Sequence, residues 1–543
     1  MERNLRPEVL YRVTETSATP RAVVVDFKSN RMEALGHTSS LFDSSPQAVL
    51  NLDDDALAAH SQSVWQGAVE VRREPELYKN DFMTFLDGGL SAGNAKQAQG
   101  QEEEDLFLKH QIKDSQVHSW GDFLKARLHP KSINMLHQFG NPEFDHFTCG
   151  ADVLSENGGK QLEDIMESIR FFLEECGRLQ GVHVMVDVDS GYGSIAQQVL
   201  QEFKDDVKCR SILGLGIVGP EEENYAMKMG QDKYLRRKRT RNVNQAMGMC
   251  AFSELCSLYV PMPLYSICEQ RSSAYFSGFD ARSLFHTTAL AAVALDSISM
   301  PYRRSAPTHG PNSACLMPEL LARLAPQDDM RVGSASLGLP FPHPTIDPDG
   351  LQLLLENSAA VHESRNALFP IELSTAFPDR VQTSPKDATF GMSLVVNGLE
   401  NASTSVGRFE TILGNYCKRT RTLLSPCALY TVTSLPMPIS LGFPDIFNKT
   451  ILGEKGQVSV KSVQDDQPPV PPISVPVISL LENTTKLEKD IVQSYNCIKK
   501  QPMASKLEYM CGEGALSEED FEIMTETLDS MQQSYSKGQY YTN

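Results

Sequence analysis

HVMVDVDSGYGSIAQQVLQEF, His183 to Phe203, decides how this chain is read. It parses as a strand, a glycine-bearing turn and a helix with Ile195, Val199, Leu200 and Phe203 on one face. A turn of this kind can hold a phosphate. Glycines take the positive φ angles that aim backbone N–H groups, and the helix N-terminus adds partial positive charge. The segment DSGYGS keeps Gly191, Gly193 and Ser194, but the chain has no GxxxxGK[ST] motif. Asp187 and Asp189 repel a phosphate unless a Mg²⁺ ion lies between them. The competing reading is a plain helix start capped by Asp189 or Ser190, and the local residues favour it.

Working outward, residues 160–179 place Leu162, Ile165, Met166, Ile169, Phe172, Leu173 and Cys176 on one helical face, and Gly181 stops the helix. The strand Val182 to Val188 follows. After the next helix comes SILGLGIV, a second strand ending at Gly219–Pro220. Helix, strand, helix, strand in this rhythm predicts a parallel sheet covered by helices. Upstream, VLYRV and RAVVVDF read as two strands around a turn, the second ending at Asp26. Residues 88–106, rich in Gly, Ala, Gln and acid, read as a disordered surface loop. SWGDFLKARLHPKSINML reads as helical until His129–Pro130. Residues 221–242, with KYLRRKRTR from Lys233 to Arg241, read as a charged, solvated insertion between core elements. Helices are predicted over 242–256 and 284–299. From residue 306 short strands and helices mix, QPPVPPISVP (467–476) is a polyproline-like connector, and Ser517 caps an acidic tail helix.

The totals narrow the function classes. A length of 543 residues implies two to four domains. A net charge of −19 argues against nucleic acid as the main partner. The 11 cysteines show no CxxC and no zinc spacing with histidine, as expected of reduced thiols in a cytosolic protein. Cys250, Cys256 and Cys268 have core-like neighbours. The opening MERNLRPEVLYRV is too polar for a secretory signal, and the longest apolar run, ALAAVAL (289–295), is far short of a membrane span. Membrane contact is therefore expected to be peripheral, and the N-x-S/T sequons at Asn401, Asn448 and Asn483 to be unused. His129 has no nucleophile beside it with a loop signature, and Tyr302-Arg303-Arg304 reads as a helix end.

Several of these stretches resemble tubulin. RLQGVHVMVDVDSGYGSIAQQVLQEF is similar to the tubulin strand, GGGTGSG turn and helix. EVLYRVTETSATPRAVVVDF resembles its second-strand region, GNPEFDHFTCGADVL a following loop, and NVNQAMGMCAFSELCSLYVPMPLYSI the helix and strand after its fifth loop. WGDFLKARLHPKSI from Trp120 is not a tubulin feature. With FHTTALAAVALDSISMPYR and the C-terminal extension, it identifies the chain as a member of the Misato family of tubulin-related proteins. The resemblance covers nearly all of residues 8–540. It implies a tubulin/FtsZ-like α/β fold: a parallel sheet with helices on both faces in a nucleotide-domain-like half (1–305), a second α+β half (306–466), then the connector and a C-terminal helical tail (467–543).

It also implies a nucleotide site at Asp26, Gly140, Asn141, Ser190, Gly191, Tyr192, Gly193 and Ser194. The departures from tubulin are concentrated there. Three glycines of the turn are gone, and the metal-associated acid has become Lys28. Leu284 and His286 stand where asparagines read the guanine base, and no acid lies between His309 and Met317 in the hydrolysis loop. Together they argue against GTP hydrolysis and weaken GTP binding, so no cofactor, catalytic residue or metal site is expected. A GTP-binding switch or a GTP-hydrolysing filament former stays as the alternative. The resemblance implies a role in mitochondrial distribution, fusion and morphology. The implied partners are tubulin and the cytosolic chaperonin, and the implied location is the cytoplasm with peripheral contact to the mitochondrial outer membrane. The family also begins with a strand and a glycine-containing loop ahead of anything in this chain. That predicts an exposed sheet edge beside residues 182–188 and a longer reading frame upstream.

Overall fold

A computed structural model describes residues 5–14, 18–27, 82, 112–117, 120–124, 126–137, 144–209, 211–220, 230–264, 275–305, 314–341, 348–353, 371–372, 388–399, 402–420, 422–423, 428–440, 442–456, 472–512 and 514–537. The acidic loop 88–106, Lys28 and the first half of the Pro-rich connector, 467–471, lie outside them.

The first half is built on parallel strands. β1 (Tyr11–Val13) and β2 (Ala18–Pro20) form a small antiparallel hairpin. β3 (Val24–Phe27) pairs in parallel with β4 (Ile133–Leu136). β5 (Val182–Asp187), β6 (Ile212–Val218) and β7 (Leu258–Pro263) form a second parallel sheet in that order. Among the described residues β5 pairs only with β6, and Met185 on it is 64% exposed. The expected turn between the first two strands is itself β2, and RAVVVDF pairs with a segment more than a hundred residues on.

The helices follow the periodicity. α1 (Cys149–Ser155), α2 (Lys160–Glu174) and α3 (Tyr192–Asp206) pack together beside β3–β4, burying Val153, Leu154, Ile165 and Ile195 in one cluster. α2 ends five residues before the periodic pattern does, and its Ile165, Met166 and Phe172 are buried. α4 (Gln231–Leu255) covers β6 and β7. Residues 231–242 are thus the opening turns of a helix and not a loop. Among its described residues the stretch from Trp120, predicted helical, forms only 3-10 turns, at Trp120–Phe123 and Pro130–Ser132, ahead of β4. Trp120, Phe123 and Leu124 leave helical periodicity to pack against Phe82, Ile112 and Phe285. His129 stands at the start of the second 3-10 turn: its Nδ1 accepts from the Lys131 amide (3.1 Å) and caps it.

α5 (Leu284–Arg303) and α6 (Met317–Leu324) join the halves. The second half is a mixed sheet of β8 (Ser334–Gly338), β9 (Ile371–Glu372), β10 (Ala388–Asn397), β11 (Thr422–Leu423), β12 (Ala428–Thr433) and, beyond a short β13–β14 pair (Met437–Pro438 with Ser474–Val475), β15 (Val477–Thr484). β15 lies in the middle of this sheet, antiparallel to both β10 and β8, and all eight of its residues are buried. The second half therefore does not close at residue 466; the chain past the connector supplies its central strand. α7 (Ala402–Thr420) covers β12, with Phe409, Leu413 and Cys417 in the core.

The tail is part of the body. α8 (Glu488–Lys499) and α9 (Glu518–Lys537) pack back on α4 and bury Ile491, Ile498, Phe521, Leu528, Met531 and Tyr535 with the first half. Tyr535 donates its hydroxyl to the Val332 carbonyl (2.8 Å). Ser517 Oγ accepts from the Asp520 amide and the Asp520 carboxylate from the Ser517 amide, the cap predicted for this helix.

Candidate functional site

The glycine turn lies at the carboxyl end of β5, where a parallel sheet presents its ligand-facing loops. What the turn can do depends on where its backbone N–H groups point. Asp189 N–H donates to Asp187 Oδ1 (3.0 Å), and Gly191 N–H to the Phe144 carbonyl (3.1 Å). Tyr192 N–H reaches Ser190 Oγ (3.4 Å), Gly193 N–H the Ser190 carbonyl (3.2 Å) and Ile195 N–H the Gly191 carbonyl (3.3 Å). These five amides have internal acceptors. Ser190 thus supplies the helix-start contact, one residue ahead of Gly191, which makes no side-chain cap. Ser194 is buried, and its hydroxyl donates to the Gly191 carbonyl (3.3 Å).

The glycines are not there for a left-handed backbone. Gly191 has φ −63°, and neither Gly191 nor Gly193 is among the positive-φ glycines. They are there because rings fill the space. A Cβ on Gly193 would lie 2.3 Å from the Phe147 ring, and one on Gly191 2.6 Å from the Phe144 ring. Gly150 of α1 meets the turn just as closely, its Cβ position 2.0 Å from the Gly191 carbonyl. Phe144, Phe27 and Tyr192 form an edge-packed aromatic group, with the Phe27–Phe144 centroids 4.8 Å apart. Apolar rings thus stand against a turn of the kind that cradles a phosphate in other folds.

The charges are also internal. Asp26 accepts hydrogen bonds from the Tyr192 hydroxyl and from Trp120 Nε1 (3.2 Å), which ties β3 to the start of α3. Burial, and then the Asp26 carboxylate, push the Tyr192 phenol well above its usual pKa. Crowding by protein atoms, then the hydrogen bond and charge of Asp189, hold the Asp187 carboxyl well above the usual range, although the residue keeps solvent access along β5. Burial would raise Asp189 as well, but its hydrogen bond with Asp187 and the Arg241 guanidinium outweigh that and depress it. Arg241 binds Asp189 Oδ2 through two nitrogens (2.6 and 2.9 Å) and donates to the Gly219 carbonyl (2.7 Å). The nearby cation is therefore neutralised. As folded, five amides of the turn are engaged within the protein and its nearby guanidinium is paired, an arrangement that fits a nucleotide phosphate poorly.

Behind the turn sits Asn244, wholly buried on α4. Its Nδ2 donates to the carbonyls of Asp145 (2.6 Å) and Asp189 (2.9 Å). Its Oδ1 accepts from the Phe147 amide (3.1 Å) and the Tyr509 hydroxyl (3.0 Å). One side chain with all its hydrogen-bonding capacity used joins the turn, the Phe147 loop and the C-terminal segment. That segment adds Glu508 to His146 (3.2 Å) and the Gly514 amide to Asp152 (3.0 Å). Sequence reading missed Asn244, Arg241, Phe144, Phe147 and Tyr509. The one local signal was a buried-side asparagine inside an apolar helical run.

Of the site residues expected from sequence, the structure gathers Asp26, Ser190, Gly191, Tyr192, Gly193 and Ser194 around this turn; Gly140 and Asn141 lie outside the described residues. Leu284 is 56% exposed at the start of α5. His286 is buried, its Nδ1 accepting from the Asp280 amide (2.9 Å), and burial lowers its pKa. Most of the hydrolysis loop, 309–313, is likewise outside. Among the described residues no three His, Cys, Asp or Glu side chains gather as metal ligands. The Cys256 thiol is pushed up to about 12 by burial and Cys250 higher still, so neither is reactive; Cys268 is outside the described residues.

The chain matches the family model described as Tubulin domain over residues 109–304. Protein misato homolog 1 of Mus musculus is 25% identical over 564 residues, covering 99% of this chain and 92% of that protein. The Bos taurus protein of the same name is 25% identical over 567 residues, covering 98% and 91%. Protein dml-1 of Neurospora crassa is 24% identical over 352 residues, covering 63% of this chain and 56% of that protein.

Proposed function

The chain belongs to the Misato family of tubulin-related proteins and has their α/β fold, and from that premise we propose a non-enzymatic, tubulin-like scaffold acting in mitochondrial distribution, fusion and morphology. The observation that carries the non-enzymatic part is the inward use of the turn, with Phe147 seated on Gly193 and five of its amides bonded internally. Phosphoryl transfer is catalysed by positioning and by charge stabilisation. This turn supplies carboxylates and aromatic rings in that place. The mitochondrial role, and tubulin and the cytosolic chaperonin as partners, are what the family resemblance implies. The proposed location is the cytoplasm with peripheral contact to the mitochondrial outer membrane. No helix among the described residues is long and apolar enough to cross a membrane.

The test is nucleotide content. The purified chain is denatured, released small molecules are separated by chromatography, and the native protein is titrated with GTP in Mg²⁺. The expected result is no guanine nucleotide and no binding. Stoichiometric nucleotide would overturn the reading in favour of a GTP switch. In cells, depletion is expected to disturb the mitochondrial network, and re-expression of either the natural chain or Ser190→Ala to restore it. An unaltered network after depletion would count against the mitochondrial role.

A further inference from the structure

The chain between α8 and α9 forms a strap across the first half. Tyr509 on it is wholly buried, in the same cluster as Phe147. Its hydroxyl donates to Asn244 Oδ1 (3.0 Å), and its ring meets the His146 ring edge-on at 5.0 Å. Glu508 uses both carboxylate oxygens, one on Arg236 of α4 (2.6 Å) and one on His146 Nε2 (3.2 Å). Further on, the strap reaches α1, where Gly514 N–H donates to Asp152 Oδ1 (3.0 Å). Leu516 N–H then donates to the Tyr509 carbonyl (2.9 Å), which closes the strap on itself. Two glycines permit so close an approach. Gly512 has φ +96°, where a side chain is strained, and a Cβ there would lie 2.5 Å from Asp152 Oδ2. A Cβ on Gly514 would lie 2.4 Å from the Ala151 Cβ and 2.9 Å from the Thr148 carbonyl.

What the strap grips is the segment that fills the glycine turn. His146 and Thr148 flank Phe147, whose ring occupies the Cβ space of Gly193. Ala151 and Asp152 follow Gly150, which abuts the Gly191 carbonyl. The Phe147 amide donates to Asn244 Oδ1, the same atom that accepts from Tyr509. One oxygen is thus shared by the aromatic plug and the strap. The plug meets the turn directly through its rings and through the bond from Gly191 N–H to the Phe144 carbonyl (3.1 Å). Apolar ring contacts are non-directional, so the seat of the plug is set by what backs it.

We propose that Glu508, Tyr509, Gly512 and Gly514 form an autoinhibitory latch. While it is docked, the aromatic segment 144–150 stays in the glycine turn; when it lifts, the segment leaves and the turn's amides are uncovered. The latch rests on the closed turn described above and is what keeps it closed. Docking and release of the strap thereby become a conformational control on the turn. The tail has a separate anchor in the Tyr535 hydroxyl on the Val332 carbonyl (2.8 Å), so the latch can be weakened without detaching α9.

The experiment is amide hydrogen exchange on the full chain, read by mass spectrometry in peptides covering 144–150, 189–195, 330–334 and 507–516. Tyr509→Phe removes the hydroxyl and leaves the ring. Exchange in 507–516, 144–150 and 189–195 should then rise together by at least about 5-fold, the effect of losing one buried hydrogen bond. Gly514→Val drives a side chain into Ala151 and should raise the same three by at least about 10-fold. Tyr535→Phe removes a buried hydroxyl from the same tail away from the latch. It should raise exchange in 330–334 and leave 144–150 and 189–195 within about 2-fold of the natural chain. The proposal is overturned if 507–516 exchanges faster while the other two do not, because the strap then lifts without the plug. Release of the turn by Tyr535→Phe as large as that by Tyr509→Phe would overturn it too, as would no change in any of the three with Tyr509→Phe. Nucleotide content of the natural chain tests whether the turn is closed, and exchange tests what holds it, so the two can fail separately.

Discussion

The glycine turn before α3 and the cationic opening of α4 are neighbours, joined through Arg241 and Asp189, yet they are opposites. The turn has the sequence of a binding loop and has turned five of its amides, the Ser194 hydroxyl and its glycine space inward. The helix opening has the sequence of a solvated insertion and keeps its charge outward. Capacity to bind a ligand depends on which groups are left unengaged after folding, and not on residue type. By that measure the turn is a structural joint, while the helix opening carries its charge on the outside of the fold.

The largest effect should come from the residue that fastens the joint. Asn244→Ala leaves the Phe147 amide and two carbonyls without this partner and the Tyr509 hydroxyl with only its longer contact to the Thr240 carbonyl (3.4 Å), and should cost about 3 kcal/mol of stability in urea unfolding. A cost near zero would mean the joint is loose. Gly193→Ala pushes a methyl into the Phe147 ring and should cost about 2 kcal/mol; a neutral result would restore the idea that this glycine serves an open loop.

The carboxyl pair gives a smaller, pH-dependent effect. Folded Asp187 holds its proton more tightly than the unfolded chain does. Its contribution is therefore complete at acid pH and is lost as pH rises through the elevated folded pKa. The natural chain should lose about 1 kcal/mol between about pH 4 and about pH 8, a figure reduced for solvent screening, and Asp187→Asn should flatten that decline. A parallel decline in both proteins would show that the pair is not coupled as described. The smallest effect belongs to the helix opening: neutralising Lys233, Arg237, Lys238 and Arg239 removes like-charge pairs and should raise stability by at most about 0.5 kcal/mol. A loss beyond that would place these cations in the fold's own support.

Much of the first half was legible. The strand–turn–helix at 182–206 and helix α2 appear where apolar spacing predicts them, because an amphipathic period is written in residues a few positions apart. The charged stretch 231–239 was read as a loop since it has no apolar period. It is helical because the packed half of α4 supplies a nucleus from which the helix extends. The segment after Trp120 was read as a helix and is not, since Trp120 and Phe123 are drawn to Phe82 and Phe285. β15 was read as part of a tail. Its place between β10 and β8 rests on pairings across some 80 to 150 residues, which no local window contains.

The sequence by itself carried the resemblance to the Misato family, the parallel rhythm of the first half, the capped tail helix and the identity of the residues that differ from the tubulin turn. Each is carried by a contiguous string or a short period. Only the tertiary structure decided what replaced them. Phe144 and Phe147 lie more than forty residues ahead of the glycines they cover, Asn244 some fifty behind, and Tyr509 near the other end of the chain. A glycine looks the same in sequence whether it makes room for a phosphate or for a phenyl ring. The difference is which atoms arrive in that space when distant segments pack.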